Sequence, residues 1–181
     1  MASKRLIDLW QEFKFETDKN STHHYFIIYD LLFKAYQNRP VGVFEVGTNT
    51  GGSTILWDHY FTHTKSRIRS IDIVDLPEAH RDYSQRVQLG IIDVNNITPE
   101  YFNDFEVDIA IDDGSHTIND QTAFIKLLYP VVKPGGLLIV EDVASIEKLK
   151  ESIKPLGYPY IIVDLNNIDN WYDSVLFIFM K

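Results

Sequence analysis

The sequence predicts a doubly wound α/β fold with a Rossmann-like, mostly parallel, seven-stranded sheet. From residue 41 onward, short apolar runs rich in Val and Ile alternate with amphipathic stretches. Apolar residues fill both alternate positions of these runs, as strands covered on both faces require. A glycine-rich stretch follows the first run, where open α/β sheets bind ligands. Helices that connect parallel strands by right-handed crossovers should therefore cover both faces of the sheet.

The individual elements follow from the apolar periodicity along the chain. Two helices should come first, near residues 4–13 and 22–37. Parallel strands are predicted at residues 41–46, 67–73, 87–92, 107–111 and 136–140. Helices are predicted at residues 53–61, 78–86, 99–103, 117–129 and 146–153. Two last strands, at residues 160–163 and 175–180 with no helix between them, should form an antiparallel edge hairpin.

We therefore expect one domain spanning residues 1–181. It should consist of an N-terminal helical extension, residues 1–38, and a Rossmann-like core, residues 41–181. A chain of 181 residues that is 45% hydrophobic is large enough to bury its own core.

The composition also limits the partners. Seventeen basic against 26 acidic side chains give a net charge of −9, which disfavours nucleic-acid binding. The chain has no cysteine, which fits a reducing compartment and excludes disulfides and thiolate metal sites. Its most apolar stretch is short and carries Asp30, whereas a membrane span needs about 20 apolar residues. We expect a cytoplasmic protein that acts on a small molecule, binds neither nucleic acid nor membrane, and is compatible with a homo-oligomer.

The glycine-rich stretch, here called the glycine loop, spans Glu45 to Ser53 and joins the first strand to a helix. Glycines allow the backbone to turn sharply and to approach a ligand closely. The dinucleotide fingerprint G-x-G-x-x-G is absent, which disfavours a nucleotide-dependent oxidoreductase. Glu45 suits a ligand that carries an ammonium and a sulfonium. The loop therefore favours S-adenosylmethionine over NAD.

Acidic residues also follow the second and third strands. Asp72, beside Ile73, stands where a carboxylate accepts hydrogen bonds from a ribose diol, and Asp93 could reach an adenine amino group. Each Asp could instead end a strand and cap a helix, but their order after the glycine loop favours the cofactor. The cofactor contacts predicted in this part of the chain are Glu45, Gly47, Thr48, Asn49, Gly51, Gly52, Ser53, Asp72, Ile73 and Asp93.

A second motif ends the next two strands. The fourth strand runs into Asp112-Asp113-Gly114-Ser115-His116, and the fifth runs into Glu141-Asp142. If these strands are neighbours, their carboxyl ends converge, and so many carboxylates need a cation between them. Oxygen ligands favour a hard ion such as magnesium. A metal or a base would draw the proton from a hydroxyl, and a vicinal diol could chelate the metal.

With Thr17-Asp18-Lys19, Tyr25 and Pro134-Gly135-Gly136, these motifs make the chain resemble class I S-adenosylmethionine-dependent methyltransferases of the macrolide-sugar O-methyltransferase group. The resemblance implies magnesium, or another hard divalent cation, held by Asp113, Glu141 and Asp142. It implies that Asp113 and His116 are catalytic, with His116 as the base. Without the resemblance, Asp18-Lys19, His23 and Tyr25 would simply cap and pack the second helix; the resemblance implies that they close over the cofactor.

Two points stay open at this level. The first is whether Asp112 faces the cofactor or instead ligates the metal in place of Asp113. The expected function is metal-assisted O-methylation of a sugar or another small polyol, and the alternatives are a catechol-type O-methyltransferase and a noncatalytic S-adenosylmethionine-binding module.

Overall fold

Seven strands form one sheet in the computed structural model, which describes residues 4–79 and 82–181. The strands are β1 (Gly42–Val46), β2 (Arg67–Asp72), β3 (Val87–Ile91), β4 (Ile109–Asp112), β5 (Leu137–Val140), β6 (Ile161–Asp164) and β7 (Val175–Met180). Their order across the sheet is β3-β2-β1-β4-β5-β7-β6. Strands β1 to β5 are parallel, and β7 pairs antiparallel with both β5 and β6. The predicted mostly parallel sheet with an antiparallel C-terminal edge is confirmed.

Helices cover both faces of this sheet. They are α1 (Leu6–Phe13), α2 (Tyr25–Phe33), α3 (Gly52–Tyr60), α4 (Ile118–Val131), α5 (Ile146–Ile153) and α6 (Asn166–Asp169). Within the part of the chain that the structure describes, no helix is both long enough and apolar enough to cross a membrane.

Alternate residues of the strands contribute to two separate cores, because successive side chains point to opposite faces. Val43 packs in the core that includes α1, α2 and α3, whereas Phe44 packs in the core that includes α4 and α5. Helix α2 buries Tyr29 and Phe33 against α3, where both contact the ring of Trp57. The N-terminal extension thus shares a core with the sheet.

The structure differs from the predicted elements at several places. The second helix, predicted over residues 22–37, is shorter (Tyr25–Phe33). Instead of a helix over residues 99–103 there is a 3₁₀ turn at Pro99–Phe102. The short helix α6 lies between β6 and β7, where we expected no helix.

The helix predicted over residues 78–86 is wrong for the residues that can be described. Pro77–Ala79 form a single 3₁₀ turn, residues 82–86 contain no helix, and residues 80 and 81 lie outside the described part. Asp58 on α3 explains the difference, because its carboxylate accepts bonds from Ser84 and Arg86. These tertiary contacts hold the segment as a loop against its amphipathic pattern.

We predict that Leu128→Ala lowers the free energy of unfolding by about 2–5 kcal/mol, because it leaves a cavity where α4 packs on the sheet. Leu128 is fully buried. The matched control is Leu31→Ala on α2, because Leu31 is 76% exposed and should change the free energy by less than about 0.5 kcal/mol. Urea denaturation of both variants measures the difference, and equal losses would contradict this packing.

Candidate active site

A cavity of about 870 Å³ lies at the carboxyl edge of the parallel strands. Its lining comes mainly from stretches within residues 15–18, 46–53, 72–76, 92–95 and 112–116. These stretches belong to the N-terminal extension, the glycine loop and the loops after β2, β3 and β4. The cavity therefore occupies the edge at which open α/β sheets bind ligands.

Most of the predicted cofactor contacts line this cavity. They are Gly47, Thr48, Asn49, Gly52, Ser53, Asp72, Ile73, Asp93 and Asp112. The others lie outside its lining: Lys19, Tyr25, Glu45 and Gly51. The structure therefore separates the predicted set into residues that face the cavity and residues that lie behind them.

The glycine loop is packed between two other segments. A Cβ atom on Gly47 would lie 1.9 Å from the carbonyl oxygen of Asp113, and one on Gly52 would lie 1.6 Å from that of Glu16. Gly47 also has φ +96°, a conformation that L side chains rarely adopt. The absence of side chains at both positions thus lets the loop after β4 and the N-terminal extension close on the glycine loop.

The two acidic strand-end residues have structural partners as well as a place in the cavity wall. The carboxylate of Asp72 accepts hydrogen bonds from the backbone N–H groups of Asn49 at 2.8 Å and Val74 at 3.1 Å. Asp93 accepts a bond from the N–H of Asn95 at 2.8 Å. Asp72 therefore ties the glycine loop to the end of β2.

Glu45 is buried beneath the glycine loop. Its carboxylate accepts hydrogen bonds from Ser53 Oγ at 2.9 Å and Trp57 Nε1 at 3.1 Å. Burial raises the pKa of Glu45, although the nearby Lys19 ammonium opposes this effect. The cation that faces Glu45 is Lys19, 3.7 Å away, so a contact between Glu45 and a cofactor ammonium stays a prediction.

Lys19 lies among the carboxylates rather than in the cavity wall. Its Nζ atom is 2.5 Å from Asp113 Oδ2 and 2.9 Å from Glu141 Oε2, and the side chain is fully buried. Burial alone lowers the pKa of Lys19, but the carboxylates of Asp113, Glu141 and Glu45 outweigh it and hold this pKa well above its usual value. Lys19 is therefore a buried cation.

The loops after β4 and β5 bring three potential metal ligands together. His116 Nε2 lies 3.4 Å from Asp113 Oδ1 and 3.6 Å from Asp142 Oδ2. One ligand atom from each of these three residues lies within 4.8 Å of the others. We call Asp113, His116 and Asp142 the ligand triad.

Glu141, a predicted metal ligand, has other partners. Its Oε1 atom accepts a bond from the Tyr29 hydroxyl at 2.5 Å, and its Oε2 atom accepts the bond from Lys19. Burial raises the pKa of Glu141 well above its usual range, with Lys19 opposing this shift. Metal ligation by Glu141 stays a prediction that would require one of these contacts to be shared or exchanged.

The ligand triad fits a divalent cation by its donor chemistry. Two carboxylates and one imidazole converge, and such donors bind magnesium, manganese and related ions. His116 Nε2 is buried and has no hydrogen-bond partner among residues 4–79 and 82–181. The Asp113 carboxylate, 3.4 Å from Nε2, and the nearby Asp142 carboxylate raise the pKa of His116 to about 9, so its imidazole is cationic at neutral pH without a metal.

Asp112 and Asp113 point to different places. Asp113 belongs both to the ligand triad and to the cavity wall, whereas Asp112, at the end of β4, belongs to the cavity wall alone. One carboxylate oxygen of Asp112 is buried with no hydrogen-bond partner in the described part of the chain. Burial raises the pKa of Asp112 to about 7. This geometry favours Asp113 over Asp112 as the ligand.

Sequence reasoning did not assign a site role to Tyr29 and expected His23 over the cofactor, and both residues contact these carboxylates. Tyr29 donates to Glu141, and His23 places Nε2 at 3.5 Å from Asp142 Oδ1 while its Nδ1 bonds Ser174 Oγ. The spacing of Tyr25 and Tyr29 by one helical turn was the available signal, because such residues share a helix face. Tyr25 donates to Asp142 Oδ1 at 2.6 Å.

Residues 44–143 match the protein family described as a methyltransferase domain. The chain belongs to this methyltransferase family. This methyltransferase is 33% identical over 140 residues to the demethylmacrocin O-methyltransferase of Streptomyces fradiae, a match that covers 71% of this chain and 34% of that protein. It is 32% identical over 141 residues to the 8-demethyl-8-alpha-L-rhamnosyl tetracenomycin-C 2'-O-methyltransferase of Streptomyces olivaceus, covering 71% of this chain and 35% of that protein. The match thus spans about a third of the length of these curated relatives.

A solved structure of the MycE methyltransferase from the mycinamycin biosynthetic pathway, in complex with Mg and SAH, has the same fold. It superposes with a TM-score of 0.74 at 23% identity, covering 98% of this methyltransferase and 55% of that chain. The Bacillus cereus O-methyltransferase in complex with SAH gives a TM-score of 0.62 at 12% identity, covering 97% of this chain and 89% of that one. These likenesses confirm the fold.

We predict that Gly47→Ala destabilises this methyltransferase far more than Gly157→Ala. Both glycines have positive φ, so both variants pay a backbone cost of about 1–2 kcal/mol. Only at Gly47 does the new methyl group also meet a backbone carbonyl, because nothing lies within 4 Å of a Cβ on Gly157. Thermal denaturation should therefore show a larger loss for Gly47→Ala, and equal losses would contradict the close packing of the glycine loop.

Proposed function

We propose that this chain is an S-adenosylmethionine-dependent O-methyltransferase that methylates a hydroxyl of a sugar or another small polyol with the help of a divalent cation. One observation carries the proposal: Asp113 and His116 belong both to the cavity wall and to the ligand triad. A cofactor on the glycine loop would thus adjoin a bound hydroxyl. The Streptomyces olivaceus relative, an O-methyltransferase whose name gives a rhamnosyl compound, supports this acceptor class.

The cofactor half of the proposal rests on the shape and polarity of the cavity. Its volume of about 870 Å³ lies within the range of about 300–1,000 Å³ that is typical of small-molecule sites. The loop glycines expose backbone, and we assign Asp72 to the ribose hydroxyls and Asp93 to the adenine amino group. Asp112, with its unpartnered oxygen, is available to a cofactor group that carries hydrogen-bond donors.

The acceptor half of the proposal rests on the carboxylates after β4 and β5. Asp113 and Asp142, together with His116 or Glu141, would hold the cation. Magnesium or a similar ion would polarise the acceptor hydroxyl and lower the pKa of a nearby imidazole. Where Glu141 rather than His116 completes the ligands of the cation, His116 would take the hydroxyl proton at Nε2, which lies 3.4 Å from Asp113 Oδ1 and 3.6 Å from Asp142 Oδ2. Asp113 would orient that imidazole.

The partners follow from the same proposal. We infer a small-molecule acceptor rather than nucleic acid, because the net charge of −9 repels a phosphate backbone. A cytoplasmic location, the absence of membrane binding and a homo-oligomeric state stay predictions.

Assays with a panel of glycosides beside a panel of catechols test the acceptor, and turnover of catechols alone would contradict the sugar assignment.

We predict that Asp72→Ala weakens the binding of S-adenosylhomocysteine by about ten- to hundredfold, because charged hydrogen bonds to the ribose are lost. The matched control is Asp164→Ala. Asp164 also ends a strand and accepts a backbone bond from Asn166, but it lies outside the cavity lining. Isothermal titration calorimetry measures both affinities. An unchanged affinity for Asp72→Ala, or equal losses in the two variants, would remove Asp72 from the cofactor site.

We predict that His116→Asn reduces turnover by about 10²–10⁴-fold while the affinity for S-adenosylhomocysteine stays within about threefold. Asn is the suitable replacement because His116 has φ 58°, and Asn tolerates this left-handed conformation. The control for backbone strain is Asn170→His, which places a histidine at another residue with a left-handed backbone, φ 54°. Turnover within tenfold of the parent in His116→Asn would exclude His116 as the base.

A further inference from the structure

Lys19 is the only lysine or arginine of the described chain within salt-bridge distance of the buried carboxylates that follow β4 and β5. It comes from the segment between α1 and α2, far from those strands in sequence. Its ammonium contacts Asp113 and Glu141 directly and lies 3.7 Å from Glu45. One positive charge thus faces three carboxylates that the sheet gathers at one edge.

The backbone of this segment fixes the ammonium in place. The carbonyl oxygen of Lys19 accepts the N–H of Tyr25 at 3.0 Å, at the start of α2. The carbonyl oxygen of Asp18 accepts the N–H groups of Thr22 and His23 at 3.0 Å. Lys19 therefore extends from an ordered turn, and its side chain is held among the carboxylates rather than directed into the cavity.

Lys19 contacts two of the carboxylates that are predicted to hold a divalent cation, Asp113 and Glu141. Asp113 presents Oδ2 to Lys19 and Oδ1 to His116, and Glu141 presents Oε2 to Lys19. A dication beside these carboxylates would be repelled by an ammonium a few ångströms away. Without either cation, the carboxylates would be buried without compensation, which is strongly destabilising.

We propose that Lys19 is the resident counter-ion of this centre: its ammonium compensates Asp113 and Glu141 when no divalent cation is bound, and it competes with that cation for the same carboxylates. Lys19 is thereby a positioning residue that sets the metal affinity. The inference rests on the proposed metal-assisted function. It also gives Lys19 a role other than the cofactor contact expected from the sequence.

The test is the variant Lys19→Met, which keeps a long, unbranched side chain and removes its charge. Without metal, the melting temperature should fall by about 5–10 °C, because buried carboxylates lose their partner. Saturating magnesium should recover more than half of this loss. In the presence of S-adenosylhomocysteine, the affinity for Mn²⁺, measured by electron paramagnetic resonance, should increase by about tenfold or more.

Two further variants separate charge from packing. Lys19→Arg keeps the charge but not the shape, so its affinity for Mn²⁺ should stay within about threefold of the parent even if the melting temperature falls. Lys150→Met removes an exposed lysine that is paired with Glu147. It should change neither the melting temperature nor the affinity for Mn²⁺. Lys19→Gln repeats the neutral substitution with a polar side chain and should also bind Mn²⁺ more tightly.

Several outcomes would overturn the role of Lys19. Neutral variants that bind Mn²⁺ no more tightly than the parent, or that fail to fold even in saturating magnesium, would contradict the competition. Weaker binding of S-adenosylhomocysteine with unchanged Mn²⁺ affinity would make Lys19 a cofactor contact. A parent protein that binds S-adenosylhomocysteine but no Mn²⁺ would overturn the metal-assisted function together with this inference.

Discussion

The contact of the Lys19 ammonium with Asp113 and Glu141 is the interaction on which the arrangement of the site depends. Parallel strands align their carboxyl ends, so the acidic residues that follow neighbouring strands are necessarily close. That proximity is useful for binding a cation and costly when none is bound. The N-terminal extension reduces this cost, because the same segment that supplies Lys19 also supplies Tyr25 and Tyr29, whose hydroxyls donate to Asp142 and Glu141.

The glycine loop connects this electrostatic centre to the cavity. Gly47 allows the loop after β4 to approach, and Gly52 allows the N-terminal extension to approach from the other side. Ser53 and Trp57 bond Glu45 beneath the loop, and Glu45 in turn faces Lys19. A short series of contacts therefore joins the wall of the cavity to the carboxylate cluster.

Much of this arrangement was predictable because it depends on local patterns. Apolar runs place the strands, and the positions of Asp72 at the end of β2 and of Asp113 directly after β4 place their carboxylates at one edge. The partners of individual oxygen atoms were not predictable, since Lys19 and Glu141 are 122 residues apart and no periodicity links them. A helix was wrongly predicted over residues 82–86 for a related reason, because hydrogen bonds from Ser84 and Arg86 to Asp58 outweigh the amphipathic pattern.

Backbone strain in the ligand triad indicates that its side chains matter more than local stability. His116 has φ 58° and Asp142 has φ 52°, in the left-handed region that glycine and asparagine adopt more readily. Each such residue costs on the order of 1 kcal/mol and persists only when surrounding contacts hold it. Gln121 on α4 provides such a contact, because its amide donates to the carbonyl oxygen of Glu141 at 3.0 Å, directly before Asp142. An imidazole and a carboxylate held at these strained positions, facing each other, are what cation binding and proton transfer require.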